Sequence, residues 1–199
     1  MPRVIVISGP SGVGKGTLIR QVLRMVPDLA LSVSATTRAK REGEVEGRDY
    51  FFLEPSDFQR LAAQGEFLEW AEYAGNLYGT PRTKVEEELA AGRDVILEIE
   101  LEGARAVAER CPDALLIFIM PPSLEELHRR LKGRKTESEV SLKRRLSRAR
   151  EEIAEIKQGT WQAPRQFDYV ILNDTVERAS RELADIIRRT REHHEQTHS

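Results

Sequence analysis

Residues 4–17, VIVISGPSGVGKGT, decide the fold of this chain. The apolar run Val4 to Ile7 is typical of a buried strand, and an amphipathic stretch begins at Lys15. The turn between them contains glycine, four residues, glycine and lysine, which is the spacing of a loop that binds phosphate. The stretch therefore predicts a strand, a phosphate-binding loop and a helix, in that order.

This loop has several features that favour a nucleotide. Its glycines let the backbone approach a phosphate closely. The helix that starts near Lys15 offers unpaired backbone N–H groups and the positive end of its dipole, and the lysine adds a mobile charge. A glycine-rich turn without a ligand is the alternative, but the strand, the spacing and the lysine all agree with nucleotide binding. The predicted nucleotide-binding residues are Gly9, Pro10, Ser11, Gly12, Val13, Gly14, Lys15, Gly16 and Thr17.

One position departs from the usual form of the loop. The residue after Lys15 usually carries a hydroxyl that contacts magnesium, but here it is Gly16, and the first hydroxyl comes at Thr17. Magnesium keeps several waters when it binds to proteins. We therefore expect Mg2+ to be held mainly by nucleotide phosphates and waters, with Thr17 helping.

Composition excludes several classes of protein. A chain of 199 residues with 40% hydrophobic residues can bury one sizeable core, so we expect one domain. Its 31 basic and 33 acidic residues show no excess that would indicate nucleic acid or membrane as a partner. Cys111 is the only cysteine, which excludes an internal disulfide and fits a reducing compartment. No stretch has the form of a secretory signal or a membrane span, so we expect a cytoplasmic protein.

Apolar runs alternate with amphipathic segments along most of the chain, which predicts an α/β fold with a parallel sheet. The predicted core strands are Val4 to Ile7, Asp94 to Ile99, Ala114 to Met120 and Tyr169 to Leu172. The predicted helices are Lys15 to Val26, Arg82 to Ala91, Leu101 to Arg110, Leu124 to Lys132, Ser141 to Gln158 and Val176 to the C-terminal tail.

Two segments depart from this alternation. Residues 33–83 have the texture of an inserted subdomain, with short strands joined by glycine-bearing turns and one short helix after Ser56. Residues 124–158 are almost entirely charged helix after a stiff Pro-Pro exit, which is the composition of a mobile lid. The core is then expected at 1–32, 84–123 and 159–199. The predicted short strands are Leu31 to Ala35, Asp49 to Leu53 and Phe67 to Tyr73.

Several motifs in order make the chain resemble bacterial and eukaryotic guanylate kinases, which transfer the γ-phosphoryl group of ATP to GMP. The resemblance covers nearly the whole chain and implies a P-loop NTPase fold, with a central parallel sheet flanked by helices, an inserted mixed β/α GMP-binding subdomain and a helical lid. The motifs are SGPSGVGKGTL (8–18), VSATTRAKREGEVEGRDYFF (33–52), EFLEWAEYAGNLYGT (66–80), VILEIELEGA (95–104) and VILND (170–174).

The second of these motifs suits a phosphate monoester. Ser34, Arg38 and Arg41 bring a hydroxyl and two forked guanidinium groups together, and Tyr50 adds a phenolic donor. A solvated basic turn is the alternative for an isolated charge cluster. In the family the matching residues, together with Tyr78, hold the GMP phosphate, so we expect the same role here.

Glu69 is suited to reading guanine. An ionised carboxylate accepts from both the N1–H and N2–H donors of guanine, whereas adenine offers an acceptor at N1. Thr80 is expected to add a hydroxyl contact to the base, and a surface strand residue is the alternative for Glu69. Strand alternation places Phe67 and Ala71 on the same face as Glu69, and Leu68 and Trp70 on the other.

Two further carboxylates follow a buried strand at the sheet edge where ligands collect in open α/β folds. We expect Glu98 to belong to the magnesium shell, directly or through water. We expect Glu100 to contact the base, at a position where many family members have aspartate.

The resemblance also assigns basic residues of the lid. Arg130, Arg134 and Arg145 match family arginines that close over the transferring phosphates, and together with Lys15 they are the predicted catalytic residues. Asn173 matches a residue near the ATP base.

The resemblance implies direct transfer from Mg-ATP to GMP, and to dGMP, without a covalent enzyme intermediate. The expected partners are the small-molecule substrates ATP and GMP, with no nucleic acid and no membrane, in a monomer or homodimer. A catalytically silent guanylate-kinase-like module that binds proteins is one alternative, and its expected signature is a damaged phosphate loop. A kinase for another small phosphorylated acceptor is the other.

Overall fold

A computed structural model gives the fold and describes residues 2–73, 75–133 and 139–197, with side chains as far as residue 192. Strands and helices alternate through most of the chain. In chain order the elements are β1 (Val4–Ser8), α1 (Lys15–Met25), β2 (Leu29–Leu31), β3 (Ala35–Thr36), β4 (Phe51–Phe52), α2 (Pro55–Ala63), β5 (Phe67–Tyr73), β6 (Asn76–Pro81), α3 (Arg82–Ala90), β7 (Asp94–Glu98), α4 (Leu101–Arg110), β8 (Leu115–Met120), α5 (Leu124–Lys132), α6 (Glu139–Gln158), β9 (Tyr169–Leu172) and α7 (Val176–Thr197).

The main sheet has five parallel strands in the order β2-β7-β1-β8-β9. Strand β1 lies at its centre and is buried on both faces, which explains its unbroken apolar run. Ile5 and Ile7 pack in the core that includes helices α1 and α7, whereas Val4 and Val6 pack in the core that includes α3 and α4. The prediction of an α/β fold with a central parallel sheet flanked by helices is confirmed.

The main sheet includes one strand, β2, that was not among the predicted core strands. The predicted single strand from Leu31 to Ala35 is wrong, because this stretch is divided between β2 in the main sheet and β3 in a second sheet. The last main-sheet bond is from the Ser32 N–H to the Ile96 carbonyl, at 2.9 Å. Apolar residues alternate with serines through residues 31–35, a pattern that predicts one strand, but the hydrogen-bonding partner changes within it.

The second sheet has the order β4-β3-β6-β5 and mixes parallel and antiparallel pairs. Its strand β6 was not among the predicted strands, since Gly79 and Pro81 weaken its strand signal. Helix α2 covers this sheet through Phe58, whose ring stacks on Phe67 with centroids 4.4 Å apart. A small separate core therefore supports the second sheet.

A register shift in β5 overturns the predicted alternation of side chains. The pairing with β6 is irregular between Phe67 and Glu69, as in a β-bulge. Phe67 and Trp70 consequently both contact Phe58 on one face, while Leu68 packs into the main core. Alternation predicts that Glu69 lies on the same face as Phe67. In the structure Glu69 instead turns away from Phe58 and toward helix α4.

The segment after β8 forms two helices. Ser123 caps α5 by accepting from the backbone N–H of Glu126 at 3.1 Å, and Leu127 and Leu131 are fully buried in the main core. Helix α6 packs against α5 and carries a row of charged side chains. Across the part of the chain that the structure describes, no helix is both long and apolar enough to cross a membrane.

Candidate active site

A cleft of about 970 Å³ opens between the glycine-rich loop, the second sheet and helix α6. It lies at the carboxyl end of the parallel strands, where ligands bind in open α/β sheets. The side chains that were predicted from separate motifs meet here. Those lining the cleft are Lys15, Thr17, Ser34, Arg38, Arg41, Tyr50, Glu69, Tyr78, Glu98, Glu100 and Arg145, along with loop residues Pro10 to Gly16.

At both ends of the loop the backbone adopts a conformation that favours glycine. Gly9 has φ +146° and Gly14 has φ +104°, both outside the range that L side chains adopt readily. A Cβ at Gly9 would also collide with the Ile119 carbonyl. Helix α1 begins directly after Gly14 with no side chain capping it, so its first N–H groups are available to an anion.

Arg130 and Asn173 contact the loop but are not among the residues that line the cleft. The Val13 carbonyl accepts from Arg130 Nη1 at 3.0 Å and from Asn173 Nδ2 at 2.7 Å. Arg130 also donates to the Asn173 carbonyl at 3.1 Å and to Glu126 at 2.8 Å. These hydrogen bonds hold the Val13 carbonyl of the loop in place, and the roles predicted for the two residues, over the transferring phosphates and near the ATP base, stay predictions.

The Lys15 ammonium is buried and has two partners in this structure. Its side chain is only 7% exposed, and Nζ donates to the Gly9 carbonyl at 2.5 Å and lies 3.6 Å from Glu100 Oε1. Glu100 therefore faces the lysine in this structure, and its predicted contact with a base stays a prediction. Burial, and then the charge of Glu100, raises the pKa of nearby Glu152 to about 7, while Lys15 lowers it.

Helix α6 reaches both halves of the cleft. Arg145 Nη2 donates to Ser11 Oγ in the loop at 2.8 Å. Arg148 lies 4.8 Å from the ring centre of Tyr73 on β5 and donates to Glu152 at 3.0 Å. A cationic side chain of the predicted lid thus touches the phosphate-binding loop. The third predicted lid arginine, Arg134, lies outside the described residues.

The residues proposed for magnesium lie together at the start of α1. A Cβ at Gly16 would come 3.4 Å from Glu98 Oε2, so the missing side chain leaves room for that carboxylate. Thr17 Oγ1 accepts from Arg20 Nη2 at 3.2 Å. Among the described residues no group of three or more His, Cys, Asp or Glu could hold a metal. The oxygen donors present suit a hard cation that takes its remaining ligands from phosphates and water.

A cationic pocket lies on the opposite side of the cleft. Arg38 is 14% exposed, donates to Glu44 Oε1 at 2.8 Å and lies 5.3 Å from the ring centre of Tyr50. Glu44 Oε2 also accepts from the backbone N–H of Arg41, whose side chain is exposed. The Tyr50 and Tyr78 rings meet edge to face, 6.1 Å apart. This pocket places one fixed and one exposed guanidinium beside two phenols.

The electrostatics of this pocket follow from the Arg38–Glu44 pair. The hydrogen bond to Arg38 holds the pKa of the Glu44 carboxyl below its ordinary value, and the same bond raises the pKa of Arg38. Burial raises the pKa of Tyr50, so its hydroxyl stays protonated and can donate. Arg38 and the Tyr50 phenol are therefore in the protonation state that binds an anion.

Glu69 is a buried carboxyl group within the wall of the cleft. It is 3% exposed, and Oε1 accepts from Thr80 Oγ1 at 2.6 Å. Burial raises the pKa of Glu69 to about 7, although the Thr80 hydrogen bond and the charge of Arg110 oppose the rise. Such a group gains most when a ligand offers it paired N–H donors.

Sequence reasoning missed four residues that shape the cleft. Two acids had a usable signal: Glu44 follows Arg41 by three positions in a basic loop, and Glu152 follows Arg148 by four on a predicted helix. Gly103 also had one, since a glycine inside a predicted helix suggests a packing reason. Nothing in the spacing indicated that Arg148 would reach Tyr73, because that contact joins two distant segments.

One family model and three known proteins are similar to this chain in sequence or in fold. The family model described as guanylate kinase matches residues 1–190. A guanylate kinase from Rubrobacter xylanophilus is 58% identical over 94% of this chain and 94% of its own length. One from Prochlorococcus marinus (strain MIT 9313) is 51% identical over 93% of this chain and 94% of its own length. The crystal structure of guanylate kinase from Anaplasma phagocytophilum superposes with a TM-score of 0.73 and 35% identity, covering 95% of this chain and 86% of that one.

Proposed function

The chain belongs to the guanylate kinase family and is an ATP:GMP phosphotransferase with a P-loop NTPase fold, and from this premise we propose that it transfers the γ-phosphoryl group of Mg-ATP directly to GMP or dGMP. The observation that carries the proposal is the placement of Lys15 and Glu69 in the walls of one cleft. The first belongs to a phosphate-binding loop, and the second suits a guanine base. A donor and an acceptor nucleotide would therefore meet between them.

The donor phosphates bind to the loop. The free N–H groups at the start of α1 and the Lys15 ammonium supply positive potential on one side. Arg145, which already contacts Ser11, supplies it from the lid helix. Arg130 and Asn173 keep the Val13 carbonyl turned away from the anion, and Arg134 is proposed as a second lid arginine on the resemblance alone.

The acceptor phosphate binds in the cationic pocket across the cleft. Arg38 offers a guanidinium already oriented by Glu44 and Tyr50, and Arg41 offers one that is free to move onto the ligand. The hydroxyls of Ser34, Tyr50 and Tyr78 complete the proposed donor set. This set binds a phosphate monoester without a metal ion.

The base is selected by Glu69. Its carboxylate would accept from N1–H and N2–H of guanine, whereas adenine would leave the buried charge facing an acceptor. Thr80 holds one carboxylate oxygen in place, and its predicted hydroxyl contact with the base is kept as a proposal. The predicted contact of Glu100 with the base is kept as a proposal, second to its pairing with Lys15.

Transfer needs positioning more than covalent chemistry. An oxygen of the acceptor phosphate attacks the γ-phosphorus in line, while Lys15 and the lid arginines stabilise negative charge on the transferred group. The acceptor is already anionic, so no side chain has to remove a proton. Mg2+, bound to the donor phosphates beside Thr17 and Glu98, would neutralise charge that develops on the phosphate oxygens. Closure of α6 over the cleft would exclude water, which would otherwise hydrolyse ATP.

The two alternatives differ in testable ways. A silent binding module has no need of an intact phosphate loop, and here Lys15, Arg38, Tyr50 and Glu69 all line the cleft. A kinase for another acceptor has no need of a buried carboxyl at the base position. We further propose that the protein acts in the cytoplasm on small molecules, with neither nucleic acid nor membrane as partner, as a monomer or homodimer.

A panel of acceptor nucleotides tests the proposal. ADP production from Mg-ATP would be measured with GMP, dGMP, AMP, UMP and CMP offered separately to the purified protein. We expect turnover with GMP and dGMP alone. Turnover with another nucleotide would reject the guanine assignment, and retained GMP binding without turnover would favour the silent module.

Acidification should weaken GMP binding. Because the pKa of Glu69 is raised to about 7, its carboxyl is largely neutral below that pH and loses the charge that accepts from guanine. We expect kcat/KM for GMP to fall about tenfold between pH 8 and pH 6, from the ionised fraction of a group titrating near 7. The measurement is a pH profile at saturating ATP.

The matched control for that profile is Glu69→Gln, whose amide does not titrate. In this variant the pH dependence of kcat/KM should reflect only the ionisation of the GMP phosphate and of groups other than Glu69. If the parent and the variant gave superimposable profiles, the carboxyl of Glu69 would not be the group that controls GMP binding.

A further inference from the structure

Gly103 is the third residue of helix α4 (Leu101–Arg110) and lies in its first turn. Its backbone is not among those with positive φ, so the helix does not need glycine for its conformation. Glycine is less favourable than alanine within a helix. The reason for glycine here must therefore be the space around it.

That space is filled by the carboxyl group of Glu69. A Cβ at Gly103 would lie 2.5 Å from Glu69 Oε2 and 3.2 Å from its Cδ. The same Cβ would lie 3.4 Å from the Cβ of Ile99, so little room remains around this position. The carboxyl group and the helix backbone are in contact, with no side chain between them.

The carboxyl group is the part that would have to move. Helix α4 is anchored in the main core by Leu101 and Ala104, which are 4% and 0% exposed. The Glu69 carboxyl is the end of a flexible side chain, and its other oxygen, Oε1, accepts from Thr80 Oγ1 at 2.6 Å. A methyl group at position 103 would displace Oε2 and turn the carboxyl group out of this orientation while leaving the helix where it is.

We propose that Gly103 is a specificity-determining residue, which keeps open the space in which the Glu69 carboxyl is oriented toward the acceptor base. It is a positioning residue, since it acts through Glu69. This inference rests on the proposed role of Glu69 in guanine recognition. It adds that the acceptor preference depends on a helix residue that offers the base no side chain of its own.

The test is a double-mutant cycle of Gly103→Ala and Glu69→Ala. In the parent background, Gly103→Ala should lower kcat/KM for GMP by about 10- to 150-fold, the range expected when a hydrogen bond to a charged group is lost. The KM for ATP should not change. In the Glu69→Ala background, Gly103→Ala should have no further effect on GMP, because no carboxyl remains to be displaced.

Thermal stability provides a second readout that is independent of the substrate. In the Glu69→Ala background, Gly103→Ala should raise Tm by about 2–4 °C, because the helix gains an alanine without a clash. In the parent background this gain should be absent. The matched control is Glu109→Ala, at an exposed position of the same helix. Its effects on Tm and on GMP kinetics should be smaller than those expected for Gly103→Ala.

Two results would overturn the inference. One is GMP kinetics in Gly103→Ala equal to those of the parent. The other is the same loss from Gly103→Ala with and without the Glu69 carboxyl, which would mean that the substitution acts on the helix itself. Failure of the proposed function would look different: the parent protein would not phosphorylate GMP, while the coupling of the two positions in Tm would persist.

Discussion

Replacing Lys15 by alanine is expected to lower kcat by about 10²–10³-fold, the loss typical of removing one preorganised group that stabilises transition-state charge. The structure adds a reason for a large effect. Lys15 is the cation 3.6 Å from Glu100, and it offsets the charge near buried Glu152. Without it, the Glu100 carboxyl group would line the cleft without the lysine that now faces it.

The measurement is steady-state turnover of Mg-ATP with saturating GMP, together with GMP binding by calorimetry. GMP affinity should stay within about twofold of the parent, because Lys15 is on the donor side of the cleft. Lys84→Ala removes a lysine that is 53% exposed and paired with Glu87 on α3, and it serves as the matched control. Unchanged turnover in Lys15→Ala would remove the loop lysine from the mechanism.

The parts of the fold that could be predicted from the sequence are those decided by local spacing. The run Val4 to Ile7 and the glycines up to Gly14 specify strand, loop and helix start within a few residues of one another. Each of these elements needs only near neighbours to form. The register of β5 was not predictable in this way, because the irregularity between Phe67 and Glu69 depends on how the strand pairs with β6.

The same distinction, between what local sequence indicates and what the folded chain decides, applies to the candidate site. Residue type suggested that Glu69 and Arg38 suit a base and a phosphate, and the structure brings both to the cleft. The local signal for Glu44 and Gly103 was weak, and it did not identify Arg38 and Glu69 as their partners, since those contacts depend on the folded chain. Arg130 shows the limit most clearly: its charge does not indicate what it contacts, and only the fold brings it to the Val13 carbonyl.

Replacing Arg38 by methionine is expected to raise the KM for GMP by about 10- to 150-fold, from the 1.5–3 kcal/mol typical of hydrogen bonds to charged groups. The KM for ATP should stay the same. The physical reason has two parts. The phosphate loses a bidentate donor, and Glu44, which Arg38 neutralises at 2.8 Å, is left as a carboxylate that repels the incoming dianion.

The repulsion by Glu44 can be separated from the loss of the bidentate donor. The double variant Arg38→Met/Glu44→Gln removes the repulsion without restoring the donor, so it should bind GMP more tightly than Arg38→Met alone, although more weakly than the parent. Arg60→Met is the control for replacing an arginine, since this side chain is 57% exposed on α2. A double variant no better than the single one would show that Glu44 only orients Arg38. Equal losses for GMP and ATP would point to a damaged fold, because Arg38 lies on the acceptor side and has no reason to affect the donor.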